Sequence, residues 1–168
     1  MKSIRMLKIV LVVCIGLQAL LYAINNLLNL DAAFGAMDYV FSMADHAYYS
    51  NSMGPVITWA PLIWLVLAIV IATEALIGWF CFKGARDMWQ ARSGDVGSFA
   101  LARRDAILGC GLAMVLWIGL FMAGGGAYLQ MWQTETGIAS LEGAFMYAIS
   151  SAVVLLFVNQ PEGPEPSA

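Results

Sequence analysis

Charge is scarce in this sequence. Only 11% of its 168 residues are Asp, Glu, Lys or Arg, against about 25% in an average soluble domain. Histidine occurs once, at His46, and cysteine three times, at Cys14, Cys81 and Cys110. There is no Gly-rich phosphate loop, no nucleophile elbow, no HExxH and no CxxC. A single histidine excludes a bis-His haem held by this chain alone. Nucleic acid as a partner would need a basic face, and the net charge is −3. These absences predict a protein that is not an enzyme and that carries no cofactor and no metal.

What the chain has in abundance is hydrophobicity, 61% of residues against about 45–50% in soluble proteins. The stretch Ile57–Phe82 is apolar almost throughout, with Glu74 its one ionisable group. It is long enough to cross a bilayer, which takes about 20 helical residues. Trp59 and Trp64 stand near one end and Trp79 near the other, where amphipathic rings favour the headgroup level. Three further apolar runs predict an all-α, polytopic four-helix bundle with helices over about 6–28, 57–82, 101–123 and 138–158. The whole of 1–158 reads as a single membrane domain, followed by an acidic, Pro-rich tail over 159–168 that composition predicts to be disordered.

The N-terminus carries Lys2, Arg5 and Lys8 before an apolar run, as a secretory signal does. That run is longer than an h-region of about 7–15 residues and ends in Leu21-Tyr22-Ala23 without a small-x-small site, so an uncleaved first helix is expected. In the long first loop, Phe34, Met37, Val40 and Phe41 recur at helical spacing and predict a short interfacial helix. Ser98 is a candidate N-cap for the third helix. All eight Lys and Arg fall in the N-terminal head or between Lys83 and Arg104. The positive-inside rule then predicts cytoplasmic N- and C-termini, with the first and third loops exported. The cysteines lie toward the cytoplasmic helix ends, which speaks for reduced thiols.

Glu74 is the sharpest candidate for function, because intramembrane acids are rare. It lies nine residues from Lys83, and Gln18 lies ten from Lys8. If both lysines mark one membrane level, Glu74 and Gln18 sit at similar depth and form an intramembrane polar pair. Such a pair serves either as interhelical glue, as a proton or polar-ligand site, or as a contact with another subunit. Asp38, Asp45 and His46 in the first loop are candidates for an external metal site; a lone loop histidine is more often simply solvated. Gly109, Ala113, Gly119 and Ala123 place small residues at four-residue spacing on the third helix, as close helix packing requires. Ala68-xxx-Ala72 and Glu74-xxx-Gly78 do the same on the second.

Asn25-Asn26, the stretch Val40-Phe41-Ser42-Met43 with Asp45, Thr73-Glu74-Ala75, and Gly124-Gly125 leading to Met131-Trp132-Gln133 carry a resemblance. They resemble a bacterial family of predicted small integral membrane proteins, domain of unknown function 2165, over nearly the whole chain. The family's second helix usually reads Trp-Glu-Ala, so Glu74 matches and Thr73 departs. The resemblance implies four helices in a bacterial inner membrane and supplies no reaction. Together these features predict a non-catalytic accessory, assembly or stabilising subunit whose partners are the lipid bilayer and other membrane subunits. The rival is a small transporter or proton-linked carrier using Glu74.

Overall fold

The computed structural model describes residues 2–49 and 51–162. Helix α1 runs Lys2–Leu28, and α2, Leu30–Phe41, follows after a break at Asn29, whose φ of −127° leaves the helical region. Helix α3 spans Ala60–Ala91 and takes Pro61 in its first turn, where a missing N–H costs nothing. Helix α4, Val96–Ala102, leads into α5, Arg104–Met114, which continues as a π-helical segment over Val115–Tyr128. A 3₁₀ turn at Met131–Gln133 precedes α6, Glu135–Asn159. Four helices, over Ser3–Leu28, Ala60–Ala91, Val96–Tyr128 and Glu135–Asn159, are long and apolar enough to cross a membrane. The protein is an all-α, four-span bundle.

Local chemistry fixes the helix starts. Asp95, rather than Ser98, is the N-cap of α4: its carboxylate accepts from the Ser98 N–H at 2.7 Å and from the Ser98 hydroxyl at 2.9 Å. Ser98 thus supplies the donor of the cap, and the helix begins three residues earlier. Thr134 caps α6 by accepting from the Gly137 N–H at 3.1 Å.

Close backbone approach holds α1, α3 and α5 together. A Cβ added at Gly16 would stand 2.8 Å from the Cys81 Cβ, and one at Gly109 would stand 2.7 Å from the Cys81 sulfur. At Gly84 an added Cβ would collide with the backbone of Ala106. Cys81 and Cys110 lie in this core as free thiols, while Cys14 faces outward. Gly109 and Ala113 are buried where small residues were expected to pack. Gly119 and Ala123 are not: both are exposed, and Gly119 has nothing within 4 Å of an added Cβ. The reason is spacing: Gly119 lies six residues past Ala113, which is about 240° further round a helix of 3.6 residues per turn, so the second pair does not continue the face of the first. The buried residues of the π-helical segment are Leu116, Trp117, Gly125 and Gly126. On α3, Ala68 and Ala72 likewise face outward, whereas Glu74 and Gly78 are buried.

One end of the bundle is basic and internally bound. Lys8 donates to the carbonyl oxygens of Val158 (3.3 Å) and Gln160 (2.9 Å), and Arg103 donates to the same two at 2.7 and 2.8 Å. Cations at these last carbonyls satisfy acceptors that α6 leaves open and complement its dipole. Arg5 donates to the carbonyls of Arg92 and Gly94 and grips the Glu162 carboxylate through Nε and Nη2. The tail from Asn159 onward therefore begins as a bound segment through Glu162. Residues 163–168 lie outside the described residues.

Candidate functional site

Glu74 is 1% exposed, on the face of α3 that meets α1. Its partner is Asn26, whose Nδ2 donates to Oε2 at 3.0 Å. Gln18 instead lines a small void with Ile77, Trp117 and Ser151, and the expected Glu74–Gln18 pair does not form. The cause is helix register. Arg5 reaches the carbonyls of Arg92 and Gly94, and Gly16 lies against Cys81 and Phe82. Lys83 is therefore level with the turn around Gly16, not with Lys8, because α3 runs two further turns beyond it. Measuring both depths from the lysines placed Glu74 opposite the wrong turn of α1. The correct turn carries Ala23, and Asn26 stands on the same face one turn further on.

Beyond Asn26 opens a cavity of about 350 Å³. Met37 and Phe41 of α2, Leu67 and Val70 of α3, and Phe121 and Tyr128 of the π-helical segment are among its walls, and Asn26 is one of its few polar contributors. Helix α2 is held over it by Phe34, which stacks on Trp64 with ring centroids 4.6 Å apart, and by the Ile57 N–H, which donates to the Phe41 carbonyl at 2.9 Å. Gly124 and Gly125 also face the space, and the Leu129 N–H donates back to Gly124 at 2.9 Å in the π pattern. The glycines give width where side chains would fill it.

The loop end is closed by a glutamine. The Gln133 Oε1 accepts from the backbone N–H groups of Tyr48 and Tyr49 at 2.9 and 2.8 Å, and its Nε2 donates to Gln130 Oε1 at 2.8 Å. Trp132 packs against both tyrosines. His46 sits 3.4 Å from the Gln133 amide through Nδ1. Asp45 accepts from the Tyr39 hydroxyl at 3.2 Å, and Asp38 stands apart on α2. Asp38, Asp45 and His46 therefore do not converge. Among the described residues no three His, Cys, Asp or Glu side chains come together as a metal set. The physical reason is the turn after α2, where Met43 and Asp45 adopt φ of 52° and 58° and send His46 toward Gln133.

In the sequence Asn26 and Gln133 stand only within the motifs that carry the family resemblance, with no role attached. The signal for Asn26 is its place on one helical face with Ala19 and Ala23. The cavity and the π-helical segment left no comparable signal, since both depend on how far one helix rotates against its neighbours.

Chemically, the arrangement offers a buried carboxyl held by one amide, next to a mostly apolar space. No curated protein and no solved structure matches the chain. The model of the family described as predicted small integral membrane protein (DUF2165) matches residues 4–161, nearly the full length, and the chain belongs to that family.

Proposed function

We propose that this protein is a non-catalytic accessory, assembly or stabilising subunit of a larger membrane complex. The observation that carries this reading is how the buried charged groups of the spans are used. Glu74 is bound by Asn26, Lys8 and Arg103 by the end of α6, and Arg5 by the carbonyls of Arg92 and Gly94 and by Glu162. These groups are spent on the chain's own architecture. Meanwhile α3 presents Leu65, Ile69, Leu76 and Trp79 outward, an apolar face that contacts lipid and is available to a partner helix.

The same reading sets the protein in a bacterial inner membrane with both termini cytoplasmic, supported by the segregation of Lys and Arg. The test is photocrosslinking from Leu65 and Ile69 in native membranes, with complexes sized in mild detergent. A discrete heterologous adduct and a matching large complex are expected. A lone protomer that crosslinks only to itself and lipid overturns the reading.

One observation favours a second reading, a small transporter or proton-linked carrier. Asn26 both binds Glu74 and lines the cavity, so the intramembrane acid stands one side chain away from an accessible space. In a carrier, Glu74→Gln abolishes activity while the protein accumulates normally.

A further inference from the structure

The cavity beside Asn26 is not explained by an accessory role. Its position within the membrane follows from the helix it borders. Val70 lies ten residues beyond Ala60, the start of α3, roughly 15 Å at 1.5 Å per residue. That is about half of a hydrocarbon core of about 30 Å. The space therefore reaches about 15 Å in from the start of α3, and its floor lies one helical turn from Glu74.

Its volume of about 350 Å³ falls in the range of about 300–1,000 Å³ of small-molecule sites. Apart from Asn26, Ser140 and Tyr128 the lining residues are apolar, and no Lys, Arg, Asp or Glu is among them. A charged headgroup would stay uncompensated there, at a high desolvation cost. At the inner end Asn26 uses one N–H on Glu74 and makes no other side-chain hydrogen bond among the described residues. A primary amide has a second N–H and a carbonyl oxygen, so Asn26 retains both a donor and an acceptor for a guest.

The geometry points to a binding site for a membrane-soluble amphiphile: a hydrocarbon chain ending in one uncharged hydroxyl or carbonyl group, hydrogen-bonded to Asn26 at the inner end of the cavity. Glu74 stands behind the amide and does not line the cavity, so it positions Asn26 and does not meet the guest. The glycines of the π-helical segment make the room. An added Cβ at Gly124 meets nothing closer than the Gly119 carbonyl at 3.7 Å, so a larger side chain fits there and occupies the space.

The test uses the full chain in phosphatidylcholine nanodiscs. One probe is a long-chain fatty alcohol bearing a mid-chain diazirine; the second is the same chain ending in a methyl group. After irradiation, adducts are assigned to residues by mass spectrometry. Alcohol adducts are expected on Met37 and Phe121 above those on the lipid-facing Phe145 and Ile149 of α6. The alcohol should exceed the alkane at the cavity by about threefold, the ratio that one average hydrogen bond within a membrane gives. Gly124→Leu should remove the cavity adducts and spare the surface ones, and Asn26→Leu should equalise the two probes. Equal cavity labelling by alcohol and alkane in the unaltered protein overturns the proposal, since the space is then only filled by lipid chains. Adducts spread evenly over the outer surface overturn it too. If Asn26→Leu fails to accumulate, the probe ratio in the unaltered protein and the Gly124→Leu result still decide. Neither depends on a partner subunit.

Discussion

Asn26 donates from Nδ2 to Oε2 of Glu74 across the α1–α3 interface, at 3.0 Å. The bond joins Glu74, the buried acid of α3, to the last polar residue of α1 before the break at Asn29. It also defines the orientation of the amide at the cavity wall. A structural contact and a ligand-facing group thus share one side chain, and substitutions at the two residues separate these roles.

Glu74→Gln keeps the shape and the acceptor for Asn26. If the pair is structural glue, that variant should match the parent in abundance and detergent melting temperature. Glu74→Leu removes the bond and should cost about 0.6 kcal/mol, the average for interhelical hydrogen bonds in membranes. The measurement is unfolding in detergent alongside a cell-based activity or growth readout. A Gln variant that accumulates normally yet is functionally dead would overturn the structural role and favour the carrier.

The four spans were legible in the sequence because crossing a bilayer demands long apolar runs, and hydropathy records those directly. Glu74 was legible as a singular residue for the same reason. Its partner was not. Pairing it with Gln18 required knowing which turns of α1 and α3 are level, and Lys83 proved a poor marker of depth. Half of the Gly109–Ala113–Gly119–Ala123 stripe failed because the four-residue spacing holds within each pair but not between them: Gly119 lies six residues past Ala113, about 240° further round the helix. Spacing fixes a face only where it is unbroken.

Lys8 and Arg103 share the same two acceptors, the carbonyls of Val158 and Gln160. Removing either cation leaves the other in place, so Lys8→Met or Arg103→Met alone should cost little. The double variant leaves the end of α6 uncapped and should lose more than the sum, by about 0.5–3 kcal/mol of coupling. Additive losses in a double-mutant cycle would show that the two cations do not act on shared carbonyls.

Topology follows from charge segregation. Reporter fusions after Val158 and in the turn between Arg92 and Asp95 should read out as cytoplasmic. A fusion between Asn51 and Met53 should read out as exported, because no Lys or Arg lies between Asn29 and Val56. A cytoplasmic signal at Asn51 removes the proposed orientation.

Asp95 lies in the turn outside the spans. Hydrogen bonds from the Ser98 backbone, and then from the Ser98 hydroxyl, hold its carboxyl below the ordinary aspartate range. A carboxyl whose folded pKa lies below its unfolded value contributes stability that is present above the unfolded pKa and lost as pH falls through the folded one. The parent should therefore lose part of its α3–α4 stability as pH drops below about 4, the unfolded aspartate value. Asp95→Asn, which caps without ionising, should flatten that part of the profile. An unchanged acid limb in the Asn variant, followed by hydrogen exchange of the α4 amides, would remove Asp95 as its source.

Gly84 and Gly119 give opposite expectations for one chemical change. An added methyl at Gly84 collides with the Ala106 backbone, which cannot move without separating α3 from α5. Overpacking of this kind costs about 1–3 kcal/mol, and it outweighs the gain of about 0.5–1 kcal/mol that alanine brings over glycine in a helix. Gly84→Ala should thus lower the melting temperature in detergent. At Gly119 the added methyl meets nothing within 4 Å, so only the helical gain remains and Gly119→Ala should be neutral or stabilising. The pair also tests the placement of Gly119. If Gly119 faced the core, its alanine variant would be destabilised as well. A melting temperature lowered at both positions would therefore refute the outward placement of Gly119.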